Sequence, residues 1–211
     1  MERPSEVDGR RERGRRTRAS ILETAANIAS VEGLEGLTIG RLASELGMSK
    51  SGLFAHFGSK EELQLATIEA AREVFTAWVI DPIRDAERGL PRLRALIGTW
   101  MSYLRGAVFD GGCFFDAVRA EFDSRPAGAV RDRIERDLAD WHALLLGQIR
   151  TAKKLGHLRD DVDPQQLLFE IDALGTTASM RHQLTKDDKI YERAEAAIAA
   201  RLSAAATPGA P

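Results

Sequence analysis

The stretch that decides the fold is Thr38–Phe57, TIGRLASELGMSKSGLFAHF. Ile39, Leu42, Ala43 and Leu46 fall at the i, i+3, i+4, i+7 spacing of a short amphipathic helix. Thr38 stands ahead of it as a helix cap, and Gly47 follows as a residue able to take the positive φ that ends a helix. Ser49 can cap a second helix, in which Leu53 and Phe57 share one inward face. Two short helices joined by a tight glycine turn make a helix-turn-helix, whose second helix enters the DNA major groove. Its outward positions, Lys50, Ser51, Gly52, Ala55 and His56, are small or polar, as close approach to DNA requires.

Outward from this stretch the periodicity stays helical. From about Arg15 to Val31, Ile21, Leu22, Ala25, Ile28 and Ala29 trace one face, and Gly33 and Gly36 stop that helix. Ser59-Lys60-Glu61-Glu62 has the pattern of a capping box and opens a long helix, with Leu63, Ala66, Ala70, Val74, Ala77 and Trp78 on its apolar side as far as Pro82. Residues 15–75 therefore form a small head around the motif at 38–57. Pro91 sits as the first residue of a helix through Leu93, Leu96, Ile97, Trp100 and Leu104. Cys113–Phe122 reads as a short aromatic helix and Val130–Ile149 as a long one that Gly156 closes. Asp163-Pro164-Gln165-Gln166 opens another, and the last carries Tyr191, Ala194, Ile198 and Leu202. No segment alternates with period two, so the chain is expected to be all-α, a three-helix head followed by a helical domain over 76–204. Residues 1–14 and 205–211 lack apolar periodicity and are expected to be a disordered basic arm and a disordered tail.

The net charge of −2 argues weakly against nucleic acid, but its distribution reverses the argument. Residues 1–60 hold 10 Lys/Arg against 8 Asp/Glu, whereas 61–211 hold 20 against 24. Six arginines crowd Gly9–Arg18, just ahead of the motif, where phosphate contacts release counterions. Arg18 ends that run and is a candidate contact. The single Cys113 can form no intramolecular disulfide and supplies too little thiol for a structural zinc site. The four histidines show no metal-ligand spacing, and no nucleophile elbow, P-loop or dinucleotide fingerprint is present, so neither metal, cofactor nor catalysis is expected. No apolar run approaches the roughly 18 residues of a membrane span, which points to a cytoplasmic protein.

The ordered string Gly33-x-x-Gly36-x-Thr38, Leu42-Ala43-x-x-Leu46-Gly47-Met48-Ser49, Gly52-Leu53-Phe54-x-His56-Phe57-x-Ser59-Lys60-Glu61-x-Leu63 resembles the TetR (tetracycline-repressor-like) family of bacterial regulators. That resemblance covers about a quarter of the chain. It implies a homodimer placing two heads on a palindromic double-stranded operator, with half-sites ~34–36 Å apart or multiples of that. A small-molecule effector would release it, as a repressor. In family terms Thr38, Ser49, Lys50, Ser51, Gly52, His56 and Lys60 would lie at or near DNA. Phe54 stands where the family most often has Tyr, so a phenol–phosphate contact is unavailable, and Phe54 would either pack or touch a sugar instead.

The same resemblance places an inducer pocket among the aromatic residues between Val74 and Leu145. Trp78, Trp100, Tyr103, Phe115, Arg119, Trp141 and His142 are the candidate lining residues, with Asp116 a further polar candidate; such pockets are mostly apolar with a few polar groups. Leu167, Ile171, Leu174, Gly175, Ala178, Tyr191 and Ile198 would form the dimer interface, pairing with their copies into a four-helix bundle. The alternative is a helical ligand-binding or redox-sensing interaction protein, using Cys113, without operator-specific DNA binding.

Overall fold

The structure, a computed structural model, describes residues 6–106 and 108–211. The described residues form nine α-helices: α1 Glu6–Gly36, α2 Ile39–Leu46, α3 Lys50–Phe54, α4 Lys60–Phe75, α5 Leu90–Arg105, α6 Phe114–Phe122, α7 Ala129–Lys154, α8 Pro164–Thr185 and α9 Lys189–Ala205. None of them is long and apolar enough to cross a membrane.

The first helix begins earlier than its apolar face suggests. The backbone is helical from Glu6, where an irregular arm was expected, and Glu12 pairs with Arg15 and Arg16 one turn on. Residues 1–5 of that arm lie outside the described residues. The break falls at Gly33, whose φ of 76° and ψ of 168° leave the helical region. Glu121 of α6 fills the break: its carboxylate accepts from the Leu34 N–H at 2.7 Å and the Glu35 N–H at 2.9 Å.

Two apolar clusters organise the chain. One joins Ile21, Ala25 and Ala29 of α1 with Leu42, Leu53, Leu63 and Ile68 of the next three helices and with Phe57, which falls in the turn after α3 rather than in that helix, and continues into Phe114, Val118 and Phe122 of α6. The other gathers α5, α7, α8 and α9 around Leu93, Trp100, Leu145, Ile171 and Tyr191. Helix α6 therefore packs on the head with one face and on the helical body with the other.

Helix α4 ends differently from its predicted course. Thr76–Ile80 is a π-helical turn followed by a 3-10 turn at Asp81–Ile83. The widened turn shifts the side-chain phase, so Val79 is buried while Ala77 and Trp78, expected on the inner face, point outward. The Thr99 hydroxyl donates to the Val79 carbonyl at 2.9 Å, satisfying a backbone group that the turn frees.

The C-terminal residues are packed rather than loose. Arg159 N–H donates to the Ala205 carbonyl at 3.0 Å and Thr207 N–H to the His157 carbonyl at 3.1 Å, with Leu158 and Ala206 forming an isolated antiparallel bridge. Ala206 and Ala210 lie against the body's core.

Candidate nucleic-acid interface and ligand cavity

The motif at 38–57 is built by its caps. Thr38 Oγ1 accepts from the Arg41 N–H at 3.1 Å and starts α2. Gly47, at φ 61°, ends it and donates its N–H to Ala43 and Ser44. Ser49 Oγ accepts from the Gly52 N–H at 3.1 Å and starts α3. Ser59 Oγ accepts from the Glu62 N–H at 3.0 Å, and Glu62 in return accepts from the Gly58 N–H at 2.8 Å. Leu42 and Leu53, both fully buried, and Phe57 clamp the two short helices onto α1 and α4.

On the outer side, Ser49, Lys50, Ser51 and Phe54 are exposed, Phe54 to 53%. Gly52 and His56 are half-buried. The Lys50 side chain reaches back over α2: a Cβ on Gly40 would stand 3.6 Å from its Nζ and 4.0 Å from Thr38 Oγ1. Ammonium and hydroxyl thus share the N-terminal end of α2, where backbone N–H groups and the helix dipole favour an anion. The Thr38 and Ser49 hydroxyls serve as caps by accepting, which leaves each O–H able to donate.

Two other predicted contacts have partners within the chain. Lys60 Nζ donates to the Glu35 carboxylate at 2.8 Å and the Glu35 carbonyl at 2.9 Å, which holds the Glu35 carboxyl below its ordinary value. Arg18 donates to the His56 carbonyl at 2.6 Å and stacks over the Phe57 ring, at 4.3 Å. It braces the C-terminal end of α3.

In the body, a cavity of about 400 Å³ opens among α4, α5, α6, α7 and α8. Trp100, Phe115, Arg119 and Trp141 line it, as does Asp116. Tyr103 lies just behind, edge-on to Phe75. Trp78 is outside, 52% exposed. His142 stands behind the wall, its Nε2 3.3 Å from Asp172. Sequence reasoning missed Arg72, Phe75, Asp137, Asp140, Asp172 and Thr176, all on the lining. The readable signal for Asp172 was an acid set beside Ile171 within the apolar pattern of α8.

Cys113 also borders the cavity, but burial, with Asp116 beside it, pushes its thiol well above its ordinary value. That favours an inert thiol over a reactive thiolate. Among the described residues no three His, Cys, Asp or Glu side chains converge as metal ligands would.

The residues proposed for a dimer interface turn inward. Leu167, Ile171, Ala178, Tyr191 and Ile198 are buried within this chain, and the Tyr191 hydroxyl donates to the Leu104 carbonyl at 2.7 Å. Gly175 lies under Trp100, where an added Cβ would stand 2.2 Å from the indole ring. Only Leu174 among the seven is partly exposed, on a groove with Ala173, Thr177 and Ala194. The opposite side of α8 shows Phe169, Met180 and Leu184 at 66%, 55% and 87% exposure.

Comparison with known proteins settles the affiliation. Residues 21–67 match the description "Bacterial regulatory proteins, tetR family", and residues 89–198 match "Tetracyclin repressor-like, C-terminal domain". The chain belongs to the TetR family. It is a transcriptional regulator and not an enzyme. This TetR-family chain is 28% identical over 179 residues to the HTH-type transcriptional regulator TcmR of Streptomyces glaucescens, which spans 82% of this chain and 76% of TcmR. It is 44% identical over 50 residues to the HTH-type transcriptional repressor AcnR of Corynebacterium efficiens, 24% of this chain and 27% of AcnR. A TetR transcriptional regulator from Chloroflexus aurantiacus superposes with a TM-score of 0.83 at 24% identity, over 92% of this chain and 98% of that one. AibR, solved in complex with isovaleryl coenzyme A and operator DNA, superposes with a TM-score of 0.62 at 24% identity, over 77% and 86%.

Proposed function

We propose that the chain is a homodimeric repressor that reads a palindromic operator through α3 and releases it when a small molecule fills the cavity. The observation that carries this reading is the capped α2–Gly47–α3 unit, which sets Lys50, Ser51, Gly52 and Phe54 outward beside the Thr38 end of α2. Thr38 and Lys50 hold phosphate together at that helix end. Ser51 and Gly52 face base edges, and Phe54 lies on a sugar. Ser49 and His56 add backbone contacts, while Lys60 and Arg18 act chiefly by bracing the head.

The second copy of this chain covers the exposed side of α8, with Phe169, Met180 and Leu184 as anchors. Part of the cavity wall comes from α4 and α6, and both helices also pack on α1 of the head. A ligand that spreads this wall shifts α4 directly. Through Glu121 it also shifts the α1 break. The ligand must favour the released state by about 1–3 kcal/mol for such coupling. AibR, of the same fold, was solved with isovaleryl coenzyme A and operator DNA.

The test is selection of a binding site by the full chain from a random-sequence duplex pool, followed by titration. The selected site is expected to be palindromic. Lys50→Ala is expected to weaken it about tenfold, in line with loss of one phosphate or base contact worth ~1–3 kcal/mol. A pool that yields no enriched sequence refutes operator reading.

A further inference from the structure

Resting on the reading of the cavity as the effector site, we infer that its ligand is an apolar organic cation. The class is an amine or quaternary ammonium on an aromatic or aliphatic body, seated in an aromatic cage against Asp172 and Asp116.

The cage comes from four helices. Phe75 of α4 meets Phe115 of α6 and Trp141 of α7 edge-on, at 5.8 and 5.5 Å, and Trp100 of α5 lies 5.1 Å from Trp141. All four rings line the cavity. Aromatic faces carry the negative lobe of the ring quadrupole, so a desolvated cation between them is attracted.

The charges on the wall point the same way. Four carboxylates line the cavity, Asp116, Asp137, Asp140 and Asp172, against two guanidiniums, Arg72 and Arg119. Both guanidiniums are already engaged. Arg119 pairs with Asp116 Oδ1, and Arg72 lies 3.2 Å from Asp140 and 3.5 Å from Asp137. An anionic ligand would have to displace one of these carboxylates.

At Asp172 a cation meets an imidazole, His142, rather than a guanidinium. Asp172 has no guanidinium within ion-pair distance among the described residues; it accepts from the Trp141 indole N–H at 3.0 Å and has His142 Nε2 at 3.3 Å. Burial pushes its carboxyl up, but the His142 and Trp141 contacts outweigh that and hold it below its ordinary value. Asp116 Oδ2 and Thr176 Oγ1 are buried with no hydrogen-bond partner. A buried carboxylate oxygen without a donor is costly, and a ligand that brings N–H groups or positive charge relieves it. A neutral apolar ligand supplies neither a donor nor a charge to either carboxylate.

The test uses three probes of matched size on the full chain: benzyltrimethylammonium, its uncharged isostere with carbon in place of nitrogen, and phenylacetate. Binding is read by the fluorescence of Trp100 and Trp141. Benzyltrimethylammonium is expected to bind at least about tenfold tighter than the isostere, with phenylacetate weakest. In the double variant Asp172→Asn, Asp116→Asn that preference is expected to drop below about threefold while isostere affinity holds, a split that general unfolding cannot produce. Equal or tighter binding of the isostere or phenylacetate, absence of cation binding, or a preference that survives the double variant each overturns the inference. Release of the selected duplex is scored in parallel. If phenylacetate or the isostere releases DNA, the cation class falls and the effector site stands. If the cation binds selectively without releasing DNA, the ligand class stands and the effector reading falls.

Discussion

Replacing Glu121 by alanine strips the carboxylate that fastens α6 to the break in α1. Its two oxygens accept from the Leu34 and Glu35 N–H groups at 2.7 and 2.9 Å, and the side chain is 16% exposed. A buried hydrogen bond to a charged group contributes about 1.5–3 kcal/mol net. The Glu35 bond lies at the surface and counts for less, and Arg125 at 3.6 Å adds little. The expected loss is therefore about 2–3 kcal/mol, a large share of the ~5–15 kcal/mol that holds a typical domain together. Urea unfolding reads the global loss. Amide hydrogen exchange at Leu34 and Glu35 reads the local one, as a fall in protection of about 30- to 140-fold at ~1.4 kcal/mol per decade. Glu121→Gln keeps one acceptor and should lose about half as much. A Glu121→Ala protein as stable as the parent, with both amides still protected, refutes the joint.

Three further perturbations follow from the packing. Gly175→Ala puts a methyl 2.2 Å from Trp100; overpacking of about 1–3 kcal/mol, less ~1 kcal/mol of helix propensity, should leave a net loss of up to about 2 kcal/mol and an altered Trp fluorescence. Met180→Asp with Leu184→Asp should shift sedimentation from dimer to monomer while circular dichroism stays helical, because both side chains are exposed in the single chain. Burial raises Asp116 above its ordinary value near 3.8, against Arg119. Between that value and the raised one the folded protein binds more protons than the unfolded, so Asp116 makes stability fall as pH rises through this window. Asp116→Asn should flatten that slope and leave neutral-pH stability equal or higher, as read by urea unfolding across pH.

The head was legible because local contacts build it. Thr38, Gly47, Ser49 and Ser59 act on neighbours three or four residues away, and such caps are visible in sequence as residue types at fixed spacing. The body was legible as helices, but not by face. Helix α8 carries apolar residues on two sides, Leu167, Ile171 and Ala178 inward and Phe169, Met180 and Leu184 outward. Periodicity alone cannot say which side the chain's own core takes.

The cavity was half readable. Its rings stand out by composition, whereas Arg72, Asp137 and Asp172 acquire meaning only when α4, α7 and α8 meet. Trp78 was misplaced because a π-helical turn changes the phase on which its placement depended. The tail's Ala, Pro and Gly residues hide backbone hydrogen bonds to residues some 45–50 positions earlier.

The measurement that bears most directly on the central claim is the affinity of the full chain for its selected palindrome and for a scrambled duplex of equal composition, over a salt series. Base reading by α3 predicts a ratio of about 10³ or more at physiological salt, with both affinities falling as salt rises. Equal affinity for the two duplexes at every salt concentration contradicts it.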